Sequence, residues 1–152
     1  MKFYHKERLL KLAKHLEKGK LGHKTFDFRF INEFLDVPVR LNKCGTNGCA
    51  CGELPIVFKD DFKFALGGIA LKAKMSSKFE MNAPSVNAHL KWFYEVCWFL
   101  GLSERECEYL FLPNNYNELY GGKELGDFAS RKDVASNIKK FIEYKEIVDE
   151  IE

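Results

Sequence analysis

The sequence predicts a mostly α-helical α+β fold, with about five helices and a small β-hairpin or sheet in one compact domain spanning residues 1–152. Three stretches carry apolar residues at helical spacing, and a fourth alternates apolar and polar residues around a Gly-Gly pair. The 152 residues are enough to bury one core. The 14 phenylalanines provide large apolar surfaces for that core and argue against disorder.

The first helix is predicted over residues 4–18, where lysines and glutamates cover the face opposite an apolar stripe. The stripe consists of Leu9, Leu12, Ala13 and Leu16. Gly19 is placed to end this helix. Residues 25–31 then alternate apolar and polar side chains, which is typical of a short strand.

Residues 44–52 read Cys-Gly-Thr-Asn-Gly-Cys-Ala-Cys-Gly and are the most unusual segment of the chain. Thr46 has the hydroxyl of a helix N-cap, so a helix is predicted from about Asn47 into the apolar stretch 54–58. Pro55 lies inside this stretch and is expected to kink or restart the helix.

A hairpin is predicted over residues 62–74. Apolar residues alternate on both sides of Gly67-Gly68, which fits a two-residue turn whose backbone needs positive φ. The same letters also suit a helix, so both readings stay open for this stretch.

The strongest helix prediction covers residues 84–100, which are apolar over much of the helix surface and therefore buried. Gly101 is placed for a left-handed cap. Ser103 and Glu106 then form a capping box for a helix that ends at Leu112.

A final helix is predicted over 133–148, with Ser130 and Asp133 as a second capping box. The central helix 84–100 is expected to pack against helices 4–18 and 133–148. The connecting segment 113–129 is long for a loop without a function.

Charge and composition narrow the function classes. The net charge is only +2, which gives a weak general attraction for nucleic acid, so nucleic acid is an improbable partner. No apolar run is long enough for a signal peptide or a membrane span. The odd number of cysteines then predicts a cytoplasmic protein with free thiols.

The glycine-cysteine segment is the first candidate ligand site. At the start of a helix, backbone N–H groups could hold a phosphate or carboxylate, and the helix field would lower the pKa of a nearby thiol. The ligand-binding candidates here are Cys44, Gly45, Thr46, Asn47 and Gly48, and Cys44 is the weak catalytic candidate. Close packing through Gly48 and Gly52 is the competing and favoured interpretation.

The cysteines do not have the spacing of a zinc site, so no metal is predicted. Cys97 and Cys107 lie on apolar stripes and are predicted to be buried structural thiols. None of the four histidines stands in a recognisable catalytic arrangement with a cysteine.

The loop after Pro113 is the second candidate site, because tyrosine and asparagine side chains are common on recognition surfaces. Its ligand-binding candidates are Asn115, Tyr116 and Tyr120, although the tyrosines could equally pack on the core. The N-terminal helix is basic but is interpreted as a solvated face. Its cations are Lys2, Lys6, Arg8, Lys11, Lys14, Lys18 and Lys20.

Several short segments occur in an order that carries a resemblance. They are Arg8–Ala13, Phe26-Asp27, Cys44–Gly52, Phe99–Ser103, Tyr109–Tyr116 and Asp133–Ile142. The chain resembles a group of small, uncharacterised bacterial, plasmid and phage proteins that share a Cys-Gly-Thr-x-x-Cys-x-x-Gly segment. The resemblance implies a compact cytoplasmic domain and a mobile-element origin, and it assigns no catalytic or binding residue.

The function predicted from these features is that of a small non-enzymatic binding protein. It would engage a host protein or a small anionic ligand such as a nucleotide, for example to interfere with host defence or signalling. No cofactor and no membrane partner is predicted. The alternatives are a cysteine-dependent enzyme using Cys44 or Cys49, and a structural or homo-oligomeric module with an aromatic interface on helix 92–99.

Overall fold

A computed structural model describes residues 1–20, 50–65, 68–82, 91–112, 120–125 and 129–151, together with the backbone of strands at 25–26, 33–34 and 46–48. The predicted mostly α-helical α+β fold is confirmed. The helices of these residues are α1 (Phe3–Lys18), α2 (Leu54–Val57), α3 (Ala73–Asn82), α4 (Lys91–Leu100), α5 (Glu104–Phe111) and α6 (Arg131–Ile151). The strands are β1 (Thr25–Phe26), β2 (Glu33–Phe34), β3 (Thr46–Gly48), β4 (Phe62–Ala65) and β5 (Gly68–Leu71).

Helix α1 buries one apolar face in the core. The predicted stripe of Leu9, Leu12, Ala13 and Leu16 is fully buried. The helix contacts α6 most extensively, and it also contacts α4 and α2. Packing of the helix at 91–100 against α1 is therefore confirmed, but α6 packs mainly on α1 and α5. Helix α4 itself contacts α1, α3, α5 and strand β5.

The end of α1 is held from outside the helix. The Arg131 guanidinium donates hydrogen bonds to the carbonyl oxygens of His15, Leu16 and Gly19. Carbonyl groups in the last turn of a helix have no partner within the helix, and a positive charge there also complements the helix dipole. Arg131 therefore fixes the start of α6 to the end of α1.

The predicted helix start at Thr46 is wrong. Thr46–Gly48 is the central strand of a three-stranded sheet, parallel to β1 and antiparallel to β2. Asn and Gly are weak helix formers, and here their backbone pairs with a strand on each side. The helical stretch begins later, with a 3-10 turn at Cys51–Glu53 followed by α2, which has Pro55 in its first turn.

The predicted hairpin is confirmed as the antiparallel pair β4–β5. Ala65 pairs with Gly68, so the two connecting positions are 66 and 67, one residue earlier than predicted. The second strand ends at Leu71, because α3 begins at Ala73 where the sequence had suggested more strand.

Helix α3 was not predicted. Its buried residues are Met75 and Phe79, which lie four positions apart and contact the core on one face. This spacing is the helical signal that the alternation in the preceding hairpin obscured.

The junction between α4 and α5 agrees with the sequence. Gly101 has φ of 69°, and the N–H groups of Gly101 and Leu102 donate to the carbonyls of Trp98 and Cys97, which is a Schellman motif. Ser103 and Glu106 form the predicted capping box in both directions, at 3.1 and 2.8 Å. The part of the predicted helix before Lys91 lies outside the described residues.

Candidate functional site

A cavity of about 490 Å³ lies beside the first two turns of α1. We call it the N-terminal cavity. Its wall contains Tyr4, His5 and Arg8 of α1 and Lys2 just before that helix. Helix α3 contributes Lys78, and α4 contributes Trp98. Small-molecule sites commonly have volumes of about 300–1,000 Å³, so the space suits a ligand of nucleotide size.

The cap of α4 shapes one wall of this cavity. Gly101 faces His5 so closely that a Cβ atom on Gly101 would lie under 3.0 Å from three atoms of the imidazole ring. The His5 ring in turn contacts the ring of Tyr4 at a tilt of 53°, with the two centroids 4.2 Å apart. Position 101 therefore favours glycine for two reasons: its backbone is left-handed, and the His5 ring occupies the space of a Cβ atom.

Arg8 connects the cavity to the core. Its Nη1 atom donates to the carbonyl oxygen of Phe99 at 2.7 Å, which satisfies an end carbonyl of α4. The guanidinium lies 3.9 Å from the centroid of the buried Phe99 ring and 5.1 Å from that of Tyr4. These cation–π contacts hold the charge of Arg8 in the cavity wall.

The electrostatic character of the cavity is positive. Among the described residues that line it, three carry a permanent positive charge, namely Lys2, Arg8 and Lys78, and none is acidic. Burial lowers the pKa of His5, and the charges of Arg8 and Lys2 lower it further. Burial also lowers the pKa of Arg8, yet a guanidinium remains protonated at neutral pH. The cavity therefore offers three cations beside a neutral imidazole.

Aromatic rings accompany these cations. Tyr4 is 49% exposed, and the Lys2 ammonium lies 5.9 Å from its ring centroid. Trp98 is half-buried and is held edge-on by Phe79 of α3, with their centroids 5.9 Å apart. Flat rings next to cations can stack on a planar ligand while the cations bind its negative groups.

Buried polar groups elsewhere already have partners. The side chain of Glu53 is fully buried and is paired with His15, whose Nε2 atom lies 2.8 Å from Oε1 of Glu53. Asn137 bonds the backbone of Lys123 in both directions. Burial raises the pKa of the Glu95 carboxyl group, and a hydrogen bond with the backbone of Leu71 opposes part of this rise. These groups are explained by packing, so the N-terminal cavity is the better site for a ligand.

The sites predicted from sequence are described only in part. Cys44, Gly45, Cys49, Asn115 and Tyr116 lie outside the described residues. Thr46, Asn47 and Gly48 belong to strand β3, so the helix N-terminus invoked for anion binding is absent at that position. Ligand binding by these three residues stays a prediction, but it can no longer be explained by the N–H groups of a helix N-terminus.

Tyr120 is described, and only 6% of it is exposed. Its ring meets Phe141 of α6 nearly edge-on, with a centroid separation of 5.3 Å. This contact agrees with the packing alternative that the sequence had left open for the loop tyrosines. Cys97 and Cys107 are buried as predicted, and Cys51 is buried as well.

Two further results concern the described residues alone. None of their histidines, cysteines and carboxylates come together in a group of three that could hold a metal ion. None of their helices is both long and apolar enough to cross a membrane. The aromatic side chains at 92–94 and 98 on α4 are partly buried against the core cluster.

Sequence reasoning missed the N-terminal cavity, although its residues were visible. Lys2 immediately precedes α1. Tyr4, His5 and Arg8 lie within its first two turns, where three- and four-residue spacing places side chains close together. The charge pattern alone predicts a solvated face for Lys2 and Arg8, because the aromatic and cationic partners on α3 and α4 are distant in sequence.

Comparison with known proteins gives no relative on which to base a function: no family model, no curated protein and no solved structure matches the chain.

Proposed function

We propose that this protein is a non-enzymatic binding protein for a small anion that carries a planar ring, of the nucleotide type, held in the N-terminal cavity. The observation that carries the proposal is the lining of that cavity, where Lys2, Arg8 and Lys78 surround a space next to Tyr4 and Trp98. A phosphate would gain from all three cations, and a base would stack on a ring.

The polar side chains of the N-terminal cavity would contact the ligand in different ways. Arg8 is fixed by its bond to Phe99 and by the Phe99 ring, so it loses little freedom when it binds an anion. Lys2 and Lys78 are exposed and can adjust to the position of the phosphate. Neutral His5 supplies one ring nitrogen as a donor and one as an acceptor.

The proposal keeps the ligand class expected from the sequence and moves its site. The sequence had favoured the segment 44–48, whereas the cations and the cavity lie at α1. The resemblance to plasmid and phage proteins suggests the biological setting, in which capture of a nucleotide would interfere with host signalling. Binding of a host protein, oligomerisation, and catalysis by Cys44 or Cys49 remain separate hypotheses.

Isothermal titration calorimetry with AMP, ATP, adenosine and inorganic phosphate tests the proposal. Nucleotides should bind more tightly than either adenosine or phosphate alone, because only they engage both the cations and the rings. Lys78→Gln should weaken nucleotide binding about two- to fivefold, the range expected for an exposed charge pair.

The matched control is Lys74→Gln. Lys74 is exposed on the same helix, one turn before Lys78, and does not line the N-terminal cavity. It removes the same charge and should leave nucleotide binding unchanged. Equal loss in the two variants, or no binding of AMP and ATP at millimolar concentration, would contradict the proposal.

A further inference from the structure

Two smaller cavities lie further along α1, and the first of them shares a lining residue with the N-terminal cavity. A middle cavity of about 370 Å³ shares Arg8 with it, and is lined also by Lys11, Lys14 and Phe58. A third cavity of about 360 Å³ shares Lys11 and Lys14 with the middle one and reaches Lys18. We call the middle and third cavities together the α1 groove.

Cations line this groove at regular intervals. At 100° per residue, Arg8, Lys11, Lys14 and Lys18 fall within an arc of about 120° on α1. Glu7 is the one acidic residue among the described residues that line the two cavities. Four cations line the groove with one carboxylate, and the carboxylate of Asp61 lies close enough to Arg8 to act on its charge, so the net charge along the groove is positive.

The other side of α1 is neutralised. Lys6 pairs with Glu146, and Glu17 pairs with Lys139, both toward α6. Within the part of the chain that the structure describes, Lys11, Lys14 and Lys18 have no carboxylate at ion-pair distance. The net charge of +2 therefore conceals a concentration of positive charge on one helix face.

We infer that the α1 groove binds the backbone of a short single-stranded oligonucleotide whose terminal nucleotide occupies the N-terminal cavity. This inference rests on the proposed function and extends it from a single nucleotide to a chain of them. A row of cations beside aromatic rings is the arrangement that binds single strands without reading their sequence. An acidic peptide would use the cations but would leave Tyr4 and Trp98 without a stacking partner.

The length of the groove sets the size of the ligand. Tyr4 and Lys18 are 14 residues apart on α1, which corresponds to about 21 Å at 1.5 Å per residue. At about 3.4 Å per stacked nucleotide, this distance fits about six nucleotides. Phe58 lies at the middle of the row, where the Lys11 ammonium sits 5.3 Å from its ring centroid.

Fluorescence anisotropy with labelled oligothymidylates of one to ten nucleotides tests the inference. Affinity should rise with length and level off near six nucleotides. The combined variant Lys11→Gln, Lys14→Gln and Lys18→Gln should bind the longer strands about 100-fold more weakly at 0.1 M salt. Its slope of log affinity against log salt should be lower by about 2, at about 0.7 per lost phosphate contact.

A control variant removes the same charge elsewhere. Lys74, Lys132 and Lys140 are exposed and line none of the three cavities, so changing all three to Gln should alter neither the affinity nor the salt slope. The groove variant should also keep the affinity of the unmodified protein for AMP, since it leaves the N-terminal cavity intact.

These arms separate the two proposals. Weaker AMP binding in Lys78→Gln than in Lys74→Gln tests the N-terminal cavity, whereas the dependence of affinity on strand length tests the groove. The inference is overturned if affinity is the same for one nucleotide and for six, or if the groove and control variants lose affinity equally. It is also overturned if a polyglutamate peptide of equal charge displaces the oligonucleotide as well as unlabelled oligonucleotide does.

Discussion

Replacing Gly101 with alanine perturbs two features of the structure at once. The backbone at Gly101 has φ of 69°, in the left-handed region that L-residues with a Cβ atom avoid. The added Cβ atom would also lie under 3.0 Å from three ring atoms of His5. Gly101→Ala should therefore both strain the cap of α4 and displace a side chain of the N-terminal cavity.

Gly121 allows the two costs to be separated. Its φ is 84°, but nothing lies within 4 Å of the position that a Cβ atom would take. Gly121→Ala should lower the free energy of unfolding by about 1–2 kcal/mol, which is the left-handed backbone cost alone. Gly101→Ala should cost about 1 kcal/mol more, because His5 must leave its preferred rotamer.

Urea unfolding followed by circular dichroism measures both free energies of unfolding. A third variant, Gly101→Ala combined with His5→Ala, removes the ring that the new methyl group meets. In the His5→Ala background, the cost of Gly101→Ala should fall to that of Gly121→Ala. The gain or loss from restricting the unfolded chain is similar for both glycines and cancels in this comparison.

The reasoning is refuted if Gly101→Ala and Gly121→Ala differ by less than about 0.3 kcal/mol, the usual error of additivity. It is refuted equally if His5→Ala leaves the cost of Gly101→Ala unchanged. Either result would mean that the His5 ring does not rest against Gly101.

Two further predictions concern pH and the end of α1. Because the pKa of His5 in the folded protein lies below 6.5, His5 of the unfolded chain takes up its proton first as pH falls. The free energy of unfolding should therefore decrease below about pH 6.5. His5→Gln should make this decrease smaller, as measured by urea unfolding between about pH 7.5 and 5.5. Arg131→Met removes the donors to three carbonyls at the end of α1 and should lower the free energy of unfolding by about 2–4 kcal/mol. The control Arg105→Met, at an exposed position of α5, should change it by less than about 0.5 kcal/mol, and a similar loss in both variants would argue against the capping role.

Local signals determined much of the helical structure. The apolar stripe of α1, the left-handed Gly101 and the capping box at Ser103 and Glu106 all depend on residues within a few positions of each other. Such features depend on the geometry and hydrogen bonding of the helix itself, which are the same in all proteins. They could therefore be predicted from the sequence by itself.

The tertiary structure decided the rest, because the deciding partners are far apart in the chain. Thr46–Gly48 became a strand through pairing with β1 and β2, where local capping chemistry had predicted a helix. Arg8 meets Phe99 across 91 positions, and Arg131 meets the end of α1 across more than 100. The N-terminal cavity arises in the same way, since its cations and rings come from three helices and share a space only after those helices have packed.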